Sequence, residues 1–168
     1  MNNNLLIIGA GMYALVAKEI AQSMGCFDEI AFVDDCASAA LDGTRVIGQT
    51  NDIDALSLQY PNMIVAIGNP EVRLSLIDTI AQNPQWNLVN LISPMAYVSP
   101  SAKLGRGCIV EPMAVVHTAC VLANGCLVSA GAVVNHGAEL SDGVHVDCNA
   151  TVAGYARVPR ATKVRTES

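Results

Sequence analysis

Residues 9–14 read Gly-Ala-Gly-Met-Tyr-Ala, a match to Gly-x-Gly-x-x-Ala, and Asp34 follows in the same half of the chain. At a strand end, such a turn lets backbone N–H groups and a helix N-terminus face a phosphate. Asp34 then stands where a carboxylate accepts hydrogen bonds from a ribose or a base. The same glycines also serve plain strand–helix packing, so the pattern alone does not select a ligand. The roughly 95 residues of this half are too few for a six-stranded nicotinamide domain with a substrate domain beside it. That argues against a dehydrogenase. The three histidines are His117, His136 and His145. They supply the number for a zinc site but not a close His-x4-His spacing, and no metal is expected. The six cysteines (Cys26, Cys36, Cys108, Cys120, Cys126 and Cys148) show no Cys-x-x-Cys pair. Free thiols in a cytoplasmic protein are the expectation.

The elements that must position these residues differ between the two halves. Leu5-Leu6-Ile7-Ile8 is a short, wholly apolar run, as in a strand buried on both faces. A helix is expected over 12–24, with Leu15, Val16, Glu19 and Ile20 at helical spacing. Strands follow at 30–33, ending in Asp34-Asp35, and at 63–67, ending in Gly68-Asn69. Pro70 suits the first turn of a helix over 71–82, with Val72, Leu76 and Ile80 on one face. A last strand is read over 86–92. Strands alternating with helices imply a parallel sheet.

From Val98 onward an aliphatic residue recurs every six positions: 98, 104, 110, 116, 122, 128, 134, 140, 146, 152, 158 and 164. Four residues after each, a small side chain is the rule, among them Ala102, Cys108, Ala114, Cys120, Cys126 and finally Ser168. Glycine or asparagine commonly precedes it, as at Gly107, Gly125, Gly131, Gly137, Gly143 and Asn149, types that tolerate positive φ. Fixed self-similarity at this period marks a β-solenoid. Three hexads close a triangular coil of about 18 residues, and equivalent positions stack ~4.8 Å apart. Cys108, Cys120 and Cys126 then become small interior hydrophobes. His117 falls one coil from His136 and one position off it.

Composition sets bounds on function. Apolar residues make up 52% of the chain and charged residues 14%, enough for a sizeable core. A net charge of −6 argues against a nucleic-acid surface. Arg157, Arg160, Lys163 and Arg165 cluster near the carboxy-terminus, either as a solvated end or as an attraction for an anionic ligand such as CoA. Met1-Asn2-Asn3-Asn4 does not read as a signal peptide, and no run is long enough to span a membrane.

Together these features resemble the hexapeptide-repeat sugar acyltransferases of the NeuD and PglD type, over almost the whole chain. The markers are Gly9-Ala10-Gly11, Val33-Asp34-Asp35, Ala66-Ile67-Gly68-Asn69 with Arg73, the junction Val89-Asn90-Leu91-Ile92 with Ser99-Pro100-Ser101-Ala102, and Val134-Asn135-His136. The resemblance implies an α/β Rossmann-like domain over 1–95 and a left-handed parallel β-helix over 96–168, shortened at its carboxy-terminus. It also implies a homotrimer. By the same resemblance Gly9, Gly11, Asp34, Asp35, Gly68, Asn69 and Arg73 bind a nucleotide-linked amino sugar, typically a UDP sugar. Acetyl-CoA lies along the β-helix between subunits, near His145 and Gly154. His136 is the general base, for which an imidazole suits neutral pH, and a backbone N–H such as that of Gly154 stabilises the oxyanion. The residue after the histidine, often acidic in this family, is Gly137 here; Glu139 and Asp142 are the nearby substitutes. Transfer to a sugar hydroxyl and a non-catalytic member that only binds or assembles are the alternatives.

Overall fold

The computed structural model describes residues 2–40 and 42–166. Met1 and Ser168, the last small position of the repeat, lie outside the described residues. Two compact units divide at Val89/Asn90.

The first unit contains β1 (Leu5–Ile8), α1 (Met12–Met24), β2 (Ile30–Val33), β3 (Val46–Gly48), α2 (Ile53–Leu56), β4 (Asn62–Val65), α3 (Pro70–Ala81) and β5 (Asn87–Leu88). The strands form one parallel sheet in the order β3-β2-β1-β4-β5. The order reverses between β1 and β4, so the loops leaving these two strands diverge and open a crevice. Those loops are the glycine turn at 9–11 and the segment 67–69. β1 and β4 are buried along their whole length, which is why Leu5–Ile8 and 63–65 read as unbroken apolar runs. Asn69 caps α3: its Oδ1 accepts from the N–H groups of Glu71 and Val72, and Pro70 takes the first helical position. The buried face of α3 is Arg73, Leu74, Ile77 and Ile80. The expected face of Val72, Leu76 and Ile80 is therefore only partly right, because Val72 is 46% exposed.

The second unit is a left-handed parallel β-helix. Its two-residue strands stack into three parallel sheets. The first face carries 97–98, 115–116, 133–134 and 151–152; the second carries 103–104, 121–122, 139–140 and 157–158; the third carries 91–92, 109–110, 127–128, 145–146 and 163–164. Val98, Val116, Val134 and Val152 sit directly above one another, which is the period of three hexads seen in space. The junction differs from expectation. The run 86–92 is not one strand: 87–88 completes the first sheet, and 91–92 pairs with Ile109–Val110 in the solenoid. The unit boundary accordingly falls before 95/96. Asn90 makes the transition, accepting from the Cys108 N–H and donating to the Gly105 carbonyl. Its side chain replaces backbone partners that a preceding coil would supply.

Cys108, Cys120 and Cys126 are 0% exposed inside the coils, and each thiol is within bonding range of a backbone carbonyl, of Ala123, Asn135 and Ser141 respectively. Cys26, Cys36 and Cys148 are exposed. A native titration with an aromatic disulfide reagent is expected to modify these three quickly and the interior three only on denaturation. Rapid release from all six would contradict the packed interior.

Candidate active site

Two groups of residues carry chemistry, one in each unit. In the first, a cavity of about 580 Å³ opens at the carboxyl ends of β1 and β4, lined among others by Gly9, Asp34, Asp35, Thr50, Glu71 and Val72. Gly9 is required by its surroundings. Its φ is 108°, and a Cβ there would stand 3.0 Å from the Ala66 carbonyl oxygen. Gly11 caps α1 without a side chain.

Asp34 is spent on the loops rather than free for a ribose. One carboxylate oxygen accepts from the Ala10 N–H at 2.8 Å, and the other from the N–H groups of Cys36 and Ala37. Partial burial pushes its pKa up, but these three donors outweigh it and hold the carboxyl below its ordinary value. The Ala10 N–H expected to face a phosphate is thus already engaged. Asp35 accepts from the N–H and hydroxyl of Thr50 at 2.8 and 2.9 Å.

Because the folded pKa of Asp34 lies below the unfolded one, its contribution is present above about pH 4. It is lost as pH falls through the folded value. Asp34→Asn is expected to cost about 1 kcal/mol at neutral pH and to flatten the acid limb of a urea-midpoint series. An unchanged acid limb would show that the carboxylate does not hold the loop.

Arg73 is 0% exposed, and its guanidinium donates to the carbonyls of Ile67 and Gly68 at 2.7 and 3.0 Å. It holds the 67–68 backbone rather than reaching into the cavity, as Asn69 holds the start of α3. Thr50, Val72 and Leu76 were not anticipated as lining. Their one sequence signal is Val72 and Leu76 at i, i+4 beside the charged Glu71, just after a helix start.

In the second unit, His136 stands on the turn between the first and second faces. Threefold hexad spacing puts Gly154 one coil above it. A Cβ on Gly154 would lie 3.0 Å from Nε2 and 3.1 Å from Cε1 of His136, so the imidazole rests directly on glycine backbone. Tyr155 meets the ring at 5.1 Å between centroids and 85° between planes; His117 does so at 6.0 Å and 72°. The Thr118 N–H donates to His117 Nδ1 at 2.8 Å, so a neutral His117 carries its proton on Nε2. Among the described residues, neither ring nitrogen of His136 has a hydrogen-bond partner.

The expected substitutes for an acidic neighbour are occupied elsewhere. Glu139 pairs with Arg157 at 3.2 Å; Asp142 accepts from the Asn124 N–H and pairs with Arg160 at 3.6 Å. Lys163 pairs with Asp147 and, with other groups, holds that carboxyl below its ordinary pKa. Three of the four clustered cations therefore already face carboxylates, which weakens their appeal to a free anion. His145 lies on the third face, bonded through Nε2 to Ser129 Oγ at 2.9 Å. A triangular coil sets that face opposite the His136 corner, so one chain does not bring the two histidines together. No group of three His, Cys, Asp or Glu side chains among the described residues is arranged to hold a metal ion.

Residues 4–91 match the family model described as the PglD N-terminal domain. The acetyltransferase domain of PglB from Neisseria gonorrhoeae FA1090, solved in complex with acetyl coenzyme A, is similar with a TM-score of 0.92 and 35% identity. The match covers 97% of this chain and 79% of that one. Perosamine N-acetyltransferase from Caulobacter crescentus, in complex with CoA and GDP-perosamine, is similar with a TM-score of 0.88 and 30% identity. Here the coverage is 95% of this chain and 76% of the other. An uncharacterized protein of Acanthamoeba polyphaga mimivirus is 30% identical over 101 residues, 60% of this chain. This chain spans 20% of the length of that curated relative.

Proposed function

The chain belongs to the family of the PglD N-terminal domain, among the hexapeptide-repeat acyltransferases of the PglD and NeuD type, and from that premise we propose that it transfers the acetyl group of acetyl-CoA to a nucleotide-linked amino sugar. The observation that carries the reading is His136: an exposed imidazole whose nitrogens have no partner among the described residues and which packs on Gly154. It sits in a chain whose fold is shared with an acetyl-CoA-bound acetyltransferase domain. No helix among the described residues is long and apolar enough to cross a membrane.

In the proposed reaction the sugar amine attacks the thioester carbonyl carbon while a His136 nitrogen takes the amine proton. The tetrahedral oxyanion collapses, the C–S bond breaks, and the proton returns from His136 to the departing sulfur. The products are the N-acetyl sugar and CoA thiol. A proton shuttle of this kind needs a free nitrogen lone pair, which His136 has. The Gly154 N–H has no partner among the described residues and is the donor assigned to the oxyanion.

The cavity of the first unit takes the nucleotide end of the acceptor. Gly9 and Gly11 shape it, Asp35 and Glu71 give it polar edges, and Asp34, Gly68, Asn69 and Arg73 fix its loops. UDP is our assignment for the nucleotide; the Caulobacter relative binds GDP-perosamine, so a GDP sugar is the rival. Free cysteines accord with a reducing cytoplasm. A homotrimer belongs to the same reading, and light scattering that finds a stable monomer would remove it.

The test is thiol release from acetyl-CoA with a panel of UDP-, GDP- and dTDP-linked amino sugars. Turnover with one of them, and an amide in the product, supports the reading. An acetyl ester in the product would move it to a hydroxyl acceptor. A folded protein that binds a nucleotide sugar without turnover would reduce it to a binding or assembly role.

A further inference from the structure

Among the described residues, no hydrogen bond orients the His136 ring. Histidine bases are ordinarily aimed by an acceptor on the far ring nitrogen, often a carboxylate. Here the nearest carboxylates in sequence are engaged by Arg157, Asn124 and Arg160. What surrounds the ring is the backbone of Gly154 one coil above it, the ring of Tyr155 at 5.1 Å and, farther off at 6.0 Å, the ring of His117.

Tyr155 is an unfavourable residue for its place. It occupies the left-handed turn position, φ 59°, that Gly137 and four further glycines hold in other hexads and that Met113, Ala119, Asn149 and Ala161 also hold. An L side chain there is strained. The side chain is also 76% exposed, so burial offers little in return. Gly137 clears the space for it: a Cβ at Gly137 would stand 2.7 Å from two carbons of the Tyr155 ring. An exposed ring is thus held in a strained position, over a glycine that makes room, against an imidazole whose nitrogens have no partner among the described residues. The backbone strain is shared with those four non-glycine residues; the near-perpendicular ring contact with His136 is what sets Tyr155 apart.

We propose that Tyr155 is the positioning residue for His136, fixing the imidazole plane by near-perpendicular ring contact where other histidine bases use a carboxylate. The contact lies within the range of favourable aromatic pairs. It leaves both nitrogens available, one to receive the amine proton and the other open to solvent. Gly137 and Tyr155 then act as a pair, since any side chain at 137 would displace the ring.

The kinetic arm of the test rests on the acetyltransferase reading; a second arm does not. Tyr155→Gly is expected to melt no lower than the wild type, because glycine suits the turn. Its kcat is expected to fall at least ~10-fold as the base loses alignment. KM for acetyl-CoA should stay within about twofold. Tyr155→Phe should restore most of kcat. Without any substrate, the His136 ring signals in NMR spectra should move in Tyr155→Gly and stay in place in Tyr155→Phe. Full kcat in Tyr155→Gly, unmoved His136 signals, or equal loss in Tyr155→Phe would each overturn the proposal. If the wild type acetylates no sugar in the panel, the acetyltransferase reading fails, while the imidazole signals still decide the positioning role.

Discussion

Replacing His136 with alanine is expected to lower kcat for acetyl transfer about 100-fold or more. That loss corresponds to roughly 2.7 kcal/mol of transition-state stabilisation. The loss should fall on kcat, because an exposed ring without a hydrogen bond contributes little to ground-state binding. Initial rates of thiol release against acetyl-CoA concentration separate the two parameters. His117→Ala should cost much less, since Nδ1 of His117 is already committed to the Thr118 N–H and its ring is the more distant neighbour. A His136→Ala protein that retains its kcat would remove the base from the mechanism.

The second large effect is expected at Gly154, where one methyl group should act through the imidazole. In Gly154→Ala the new Cβ would sit 3.0 Å from Nε2 and 3.1 Å from Cε1 of His136. The nearest obstacle is the end of a side chain rather than backbone, so the ring gives way before the coil does. Stability should therefore stay within about 1 kcal/mol of wild type. Displacing a base by a fraction of an ångström is expected to cost roughly 10-fold or more in kcat. The double variant with His136→Ala should lose no more than His136→Ala alone, because both act on one group. Additive losses would mean that the added methyl group acts on the reaction otherwise than through the imidazole.

The β-helix was legible because its period is rigid. Each interior position is enforced by stacking on the coil below, so twelve aliphatic residues fall in register without an insertion. Ile92 lies six residues before Val98 and opens the same series, yet its apolar neighbours make 86–92 look like one strand. The signal was present and was masked by composition. β3 and α2 escaped because three and four residues are too few to display a period. Arg73 matched a family motif, but its type does not disclose burial; only the need of the Ile67 and Gly68 carbonyls for donors explains it. Of the His136 site, the histidine came from motif position, and Gly154 entered as a glycine at which backbone can approach closely. Tyr155 was recoverable by arithmetic alone, because it stands one full coil above Gly137. The free nitrogens, and the engagement of Glu139 and Asp142 elsewhere, depend on side-chain directions that spacing does not specify.

The vertical register of the second unit also governs how such a chain can change length. Strands pair residue for residue from coil to coil, with Val134 between Val116 and Val152 and Leu140 between Leu122 and Val158. Deleting a single residue within a strand would turn every later interior side chain outward until a corner absorbed the error. Removing one hexad would carry His136 to a different corner, while removing a whole coil would return it to the same one. Neutral variation in this half of the molecule should therefore be quantised: free at the corners, forbidden along the faces, and permitted elsewhere only in whole turns of the helix.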